Sequence, residues 1–191
     1  TVPHLDSYSV STYGKAWINH SPLTQVIFYW AFNSGGPNKL IYLSCIIMLS
    51  AFLLLFFCVY KNRSAFSLSV IILALTIFAS GIRFNIRPEN FSVLFFCAYL
   101  SILTKYKNKG GVFLLPLIQL AWVNCHGFFI LGPILTALFI AAEGLKMRKK
   151  LPWEWADCEP LDKKGYRNLI IIFLLSMLTC LINPNGIKGA L

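Results

Sequence analysis

Apolar residues fall along this chain in long blocks, and polar and charged residues collect in short clusters between them. Residues 40–60 carry no charge over 21 positions. At ~1.5 Å per residue that is about 31 Å of helix, against a bilayer hydrocarbon core of about 30 Å. Residues 65–82 form a second block, separated from the first by Lys61, Asn62, Arg63 and Ser64, so the two predict a tight helical hairpin. A third block, 90–104, follows Arg87-Pro88 and is closed by Lys105, Lys107 and Lys109. Residues 110–142 are apolar apart from Asn124-Cys125-His126-Gly127, and 168–182 run into Asn183-Pro184-Asn185-Gly186, a strong turn signal. Ahead of these, 21–32 is apolar over only 12 residues, too short to cross a bilayer. Ser21-Pro22 marks its start as an N-cap with proline at the first helical position. Phe28, Tyr29, Trp30 and Phe32 suit the headgroup zone, so this segment is expected to lie along the interface.

The topology turns on whether 110–142 crosses once or twice. Basic loops favour the cytoplasmic side. With two crossings, the loops at 61–64, 105–109 and 143–167 share a side and hold twelve of the seventeen Lys and Arg, leaving Lys15, Lys39, Arg83, Arg87 and Lys188 opposite. With one crossing the basic residues of 143–167 change sides and the asymmetry vanishes. The expected fold is therefore an all-α integral membrane protein with a bundle of about six transmembrane helices (about 40–60, 65–82, 90–104, 110–126, 127–142 and 168–182). A non-cytoplasmic loop, 1–39, precedes the bundle and carries the interfacial helix.

Composition agrees with this pattern. The chain is 57% hydrophobic and 13% charged with a mean hydropathy of +0.67, which excludes a soluble domain and a disordered chain. The net charge of +10 lies in clusters beside apolar blocks, so the lipid bilayer with its anionic headgroups is the expected partner and nucleic acid is not. The basic runs at 146–150 and 163–167, with Trp153 and Trp155 between them, read as solvent and interface anchors. Six scattered cysteines show neither a C-x-x-C pair nor metal-ligand spacing. The chain opens Thr-Val-Pro without signal-peptide features and reads as part of a longer protein, whose remainder, including a preceding anchor, is a further expected partner.

Sorting polar residues by side places His4, His20, His126, Asp6, Glu89, Arg83, Arg87, Asn124 and Asn183 together on the outer face. Blocks 90–104 and 110–126 give about 22 and 25 Å of helix, short of the core thickness. With their inner ends fixed by basic clusters, their outer ends should be recessed in a wet, outward-opening pocket. Arginines with a carboxylate and an Asn/His pair suit a phosphate-bearing amphiphile, because Arg grips phosphate through a bidentate fork. Asp6 can serve as general base toward an acceptor hydroxyl or as ligand to a hard divalent cation, the one cofactor candidate. Simpler roles stand beside these. Asp6 can be an N-cap or Asx-turn, Arg87 and Glu89 can pair, His126 can cap a helix end, His20 can be structural, and Trp17 and Trp122 can be packing aromatics. No G-x-S-x-G, H-E-x-x-H or phosphate-cradling glycine loop is present.

Asp6-Ser7-Tyr8-Ser9 with Thr12, Gly14, Trp17 and His20, followed by Gly35-Gly36 before a span, is similar to the first outer loop of a widespread, mostly uncharacterised group of bacterial multi-spanning proteins. These are related to the GT-C class of lipid-phosphosugar-dependent glycosyltransferases. Arg87-Pro88 opening a span, Trp122-Val123-Asn124-Cys125-His126-Gly127 with Gly132, and Asn183-Pro184-Asn185-Gly186 extend the resemblance over nearly the whole chain. It implies a helical domain of the bacterial inner membrane that moves sugar from a polyprenyl-phosphate donor, a lipid-linked sugar, on the non-cytoplasmic side. Asp6 stands at the place of the catalytic acid. Arg83 and Arg87 would then hold the donor phosphate, with Glu89, Asn124, His126 and His20 completing the substrate site. The chain departs from the group in carrying Ser7 after Asp6, and Ser21 where related sequences have an acid, so an acidic pair for a metal is missing. Two alternatives remain open: a non-catalytic membrane subunit that binds a lipid or protein partner, and a membrane acyltransferase using His126 as base with Asn124 beside it.

Overall fold

The computed structural model describes residues 5–6, 9–60, 66–81, 84–106, 110–148 and 159–186. His4, Arg83, Lys188 and half of the twelve basic loop residues, with Trp153 and Trp155, lie outside them. The described residues form six α-helices: α1 (Pro22–Val59), α2 (Phe66–Ala79), α3 (Glu89–Thr104), α4 (Leu115–Cys125), α5 (Leu131–Arg148) and α6 (Lys163–Thr179). Short 3-10 turns, Gly110–Leu114 and Gly127–Ile130, lead into α4 and α5, and one antiparallel bridge joins Leu5 to Ala16.

The helix starting at Pro22 is present, but its expected cap is not: the Ser21 side chain makes no capping bond, and the first turn is closed by Gln25 N donating to Ser21 O at 3.1 Å. Proline at the first position has no N–H to leave unpaired and its φ is already helical, so the helix starts here without the cap. The break after it is glycine chemistry. Gly35 is extended, Gly36 sits at φ +66°, ψ −159°, a region that side chains with a Cβ avoid, and Pro37 restarts the helix. Two arms result, 22–34 and 37–59. Replacing Gly36 with alanine should destabilise the folded chain by about 1–3 kcal/mol. A thermal midpoint equal to that of the wild type would contradict this.

Hydrogen bonds give the helix directions. Asn90 Nδ2 donates to Ser44 Oγ (3.1 Å), Ser101 Oγ donates to Leu54 O (3.2 Å), and Cys58 meets Thr104 (3.2 Å), so the second arm of α1 runs parallel to α3. Tyr99 OH reaches Leu115 O (3.2 Å) while Trp122 Nε1 reaches Ser92 Oγ (2.9 Å), so α4 runs back along α3. Gln119 Nε2 donates to Phe129 O at 2.9 Å. Ten residues along one continuous helix would separate these groups by about 15 Å, so the chain reverses between them. The reversal falls at His126, which is extended (φ −164°, ψ 149°). The stretch 110–142 is thus two helices, as its flanking charges predict.

Two boundaries shift. The last helix begins at Lys163, ahead of the expected 168, because Asp162 caps it: its Oδ1 accepts from Gly165 N at 2.9 Å. α5 extends past 142 to Arg148, and the buried Glu143 carboxylate accepts from Leu161 N (2.9 Å) and pairs with Lys146 (2.6 Å), tying α5 to the start of α6.

The packing is apolar outside and partly polar within. Tyr99, Leu115, Trp122, Leu169 and Ile172 are fully enclosed, but so are Gln119, Thr136 and Ser176. Phe78, Leu75, Leu117 and Leu138 point outward, all more than 60% exposed. Helices take this arrangement where the solvent is lipid, and small or polar residues then mediate their contacts. Two helical segments, Pro22–Cys58 and Gly127–Met147, are long and apolar enough to cross a bilayer; Phe66–Ala79, Glu89–Thr104 and Gly111–Cys125 are shorter apolar helices.

Candidate functional site

Four stretches distant in sequence meet at one end of the bundle. Thr24 Oγ1 donates to Cys125 O at 2.8 Å, fastening the first arm of α1 across the end of α4. Asn124 Nδ2 donates to Leu120 O (2.8 Å) and Ile182 O (3.0 Å), and Asn185 Nδ2 donates to Asn19 O (2.9 Å). Ile27 and Phe28 pack with Ile47, Phe91 and Cys125, so both arms of α1 touch the same cluster. Asn183-Pro184-Asn185-Gly186 is the expected turn, with Asn183 Oδ1 accepting from Asn185 N (2.9 Å) and Gly186 at φ +55°.

Asp6 is buried in a loop of its own making. Its Oδ1 accepts from Ser9 N (2.9 Å), its Oδ2 accepts from the Ser9 hydroxyl and from Thr12 Oγ1 (2.6 Å), and its backbone pairs with Gly14 and Lys15. Gly14 at φ +76° makes that return possible. The carboxylate therefore organises the loop, as an Asx-turn residue does.

His126 is half-buried in the turn between α4 and α5, outside both helices. Ser92 Oγ lies 2.9 Å from its Nδ1, and Phe128 N points at the same nitrogen from 3.4 Å, so the His126 side chain caps the following 3-10 turn, while its backbone N–H closes the end of α4 on Trp122 O (3.1 Å). Burial holds its pKa below the ordinary imidazole range; the Glu89 carboxylate pulls the other way and His20 adds to the lowering. His20 and Glu89 thus both lie within electrostatic reach of His126, which stands between the two influences. Arg87 is exposed just ahead of α3, where its carbonyl accepts from Asn90 N (3.2 Å).

The depressed His126 pKa has a sign. Below about 6.5, its ordinary value, the unfolded chain takes up a proton that the folded chain resists, so stability falls as pH drops. The thermal midpoint should decline from pH 7 downward, and His126→Asn should flatten part of that decline. An identical pH profile in the variant would contradict the shift.

Two of the clefts at this end carry residues of the expected site. One, about 770 Å³, lies between the first arm of α1 and α4, with Asn19, Gln25 and Asn124 as polar groups among Leu23, Val26 and Leu117. The other, about 330 Å³, has Glu89, Asn90 and Ser92 beside Phe96, Phe128 and Leu131. Asn124 and Glu89 therefore face separate clefts. Arg83 lies outside the described residues.

A divalent cation fits the described residues poorly. Hard cations want six or more oxygen ligands. Among the described residues no three His, Cys, Asp or Glu come together, and Ser9 and Thr12 donate to the Asp6 oxygens. Sequence reasoning missed Ser92, whose hydroxyl links Trp122 to His126, because a serine inside an apolar run carries no signal of its partners. Gln119, the lone amide within 110–121, did carry a signal. No family model, curated protein or solved structure matches this chain.

Proposed function

We propose that this chain is the membrane-embedded helical domain of a GT-C type glycosyltransferase, an integral protein of a bacterial plasma membrane that moves sugar from a polyprenyl-phosphate donor at its outer face. The observation that carries this reading is the gathering of the segments 19–25, 85–92, 124–126 and 182–186 at one end of the bundle, beside a cleft with apolar walls and amide groups. A prenyl tail suits such walls and a phosphosugar headgroup suits the polar end. The remaining helices, with their apolar outer surface, are assigned as spans of a six-span bundle with inner ends near 60, 105 and 146–163.

In this reading the acceptor hydroxyl attacks the anomeric carbon, the bond from that carbon to the phosphate oxygen breaks, and polyprenyl phosphate leaves. Asp6 takes the acceptor's proton. Arg87, together with Arg83, holds the phosphate. Asn124 lines the apolar cleft along which the donor approaches, while Glu89 faces the neighbouring cleft. The engagement of Asp6 with Ser9 and Thr12 favours a second reading, a lipid-binding domain without chemistry of its own. The acyltransferase reading gains nothing from Asn124, which donates to Leu120 O and Ile182 O rather than to the histidine.

Full-length protein in nanodiscs, given a labelled polyprenyl-phosphosugar and the membrane's own acceptors, should release polyprenyl phosphate. Binding of the donor without release would favour the second reading, and neither binding nor release would overturn both.

A further inference from the structure

We propose that Trp122 and Ser92 are positioning residues that fix His126 as the Nε2–H tautomer, making it a hydrogen-bond donor, rather than a base, toward an anionic oxygen of a bound headgroup. The headgroup half of this proposal rests on the function proposed above; the tautomer half does not.

An indole N–H can only donate. Trp122 Nε1 lies 2.9 Å from Ser92 Oγ, so that oxygen is the acceptor, and its single proton is directed elsewhere. Ser92 Oγ keeps a second lone pair, so the direction of its 2.9 Å contact with His126 Nδ1 is set by the imidazole tautomer. Phe128 N–H, which can only donate, approaches the same nitrogen at 3.4 Å. Nδ1 therefore accepts, the serine proton turns to it, and a neutral imidazole with Nδ1 accepting carries its proton on Nε2. Water has little access to reverse this polarity, since Trp122 is fully enclosed and Ser92 is 5% exposed. The Phe128 ring meets the imidazole edge to face, with centroids 4.7 Å apart at 85°, which opposes a ring flip that would exchange the nitrogens. Ser92 occupies the buried side of the ring, so Nε2–H is left on the side away from it. There it offers a neutral donor of fixed direction, which an anionic oxygen accepts without a proton transfer.

Nitrogen NMR of histidine-labelled full-length protein in zwitterionic nanodiscs tests both halves, with the His126 signals assigned by their loss in His126→Gln. Wild-type protein at neutral pH should show an unprotonated Nδ1 and a protonated Nε2. Trp122→Phe removes the donor that orients the serine hydroxyl, so the Nδ1–H fraction should rise by about fivefold. Ser92→Ala should remove the bias in the same direction and Ser92→Thr should restore it, a pair that decides the matter if Trp122→Phe fails to fold. Dodecyl phosphate should shift the Nε2–H signal, while dodecanol should not. A wild-type Nδ1–H or imidazolium form, or unchanged tautomer populations in Ser92→Ala, would overturn the positioning role. A correct tautomer unmoved by dodecyl phosphate would overturn the donor role. Loss of the sugar-transfer reading alone would leave the tautomer where it is.

Discussion

Gly132→Val should destabilise the folded bundle by about 2–4 kcal/mol, enough to lower its thermal midpoint in nanodiscs by many degrees. A Cβ at Gly132 would stand 2.3 Å from Gln119 Oε1 and 3.0 Å from Tyr99 Cζ. The glutamine end would swing away easily on a surface, but here it is held. Its Oε1 accepts from Tyr99 OH at 2.8 Å, and its Nε2 donates to Phe129 O (2.9 Å) and Cys180 Sγ (3.2 Å), all buried. Moving it takes the donor from the Phe129 carbonyl in a place without water and leaves the Tyr99 hydroxyl with Leu115 O alone. This one amide ties α3, α4, α6 and the turn before α5 together. Gly127→Ala is the control, since nothing lies within 4 Å of the added carbon. Equal midpoints for the two variants would show that the approach at Gly132 is not tight.

Asp6→Asn should reduce sugar transfer by about 10²–10⁴-fold while the fold persists. Asparagine keeps an oxygen for Ser9 N, and its amide protons can meet the Ser9 and Thr12 hydroxyls, which turn to accept. The loop stays closed and only the negative charge is removed. Arg87→Lys should act differently, weakening donor binding by losing the bidentate fork while keeping the charge. The comparison is made by midpoint and by release of polyprenyl phosphate on the same preparations. Wild-type turnover in Asp6→Asn would reduce Asp6 to a loop residue and leave the lipid-binding reading in its place.

Much of this architecture is legible because it rests on local chemistry and charge. Gly35-Gly36-Pro37 can hardly continue a helix, so the break in α1 can be read directly. The basic loops require a reversal near His126, and the chain reverses there. Asn183-Pro184-Asn185-Gly186 forms the turn that its residues favour. Other features depend on residues far apart in the chain. Thr24 finds Cys125 across 101 positions, and Ser92 serves Trp122 and His126 only after α3 and α4 lie side by side. The start of α6 is not legible in this way, because Lys163, Lys164 and Arg167 read as loop and yet stand at the start of a capped helix. The pattern predicts one recessed pocket, whereas Asn124 and Glu89 line two clefts.

Whether the polar end of the bundle faces out of the cell is tested most directly by single-cysteine labelling in a cysteine-free background, with Asn185→Cys at that end and Lys105→Cys at the other. An impermeant maleimide applied to intact cells should label position 185 and reach position 105 only after permeabilisation. Labelling of position 105 from outside, with position 185 protected, would contradict an outward-facing donor site.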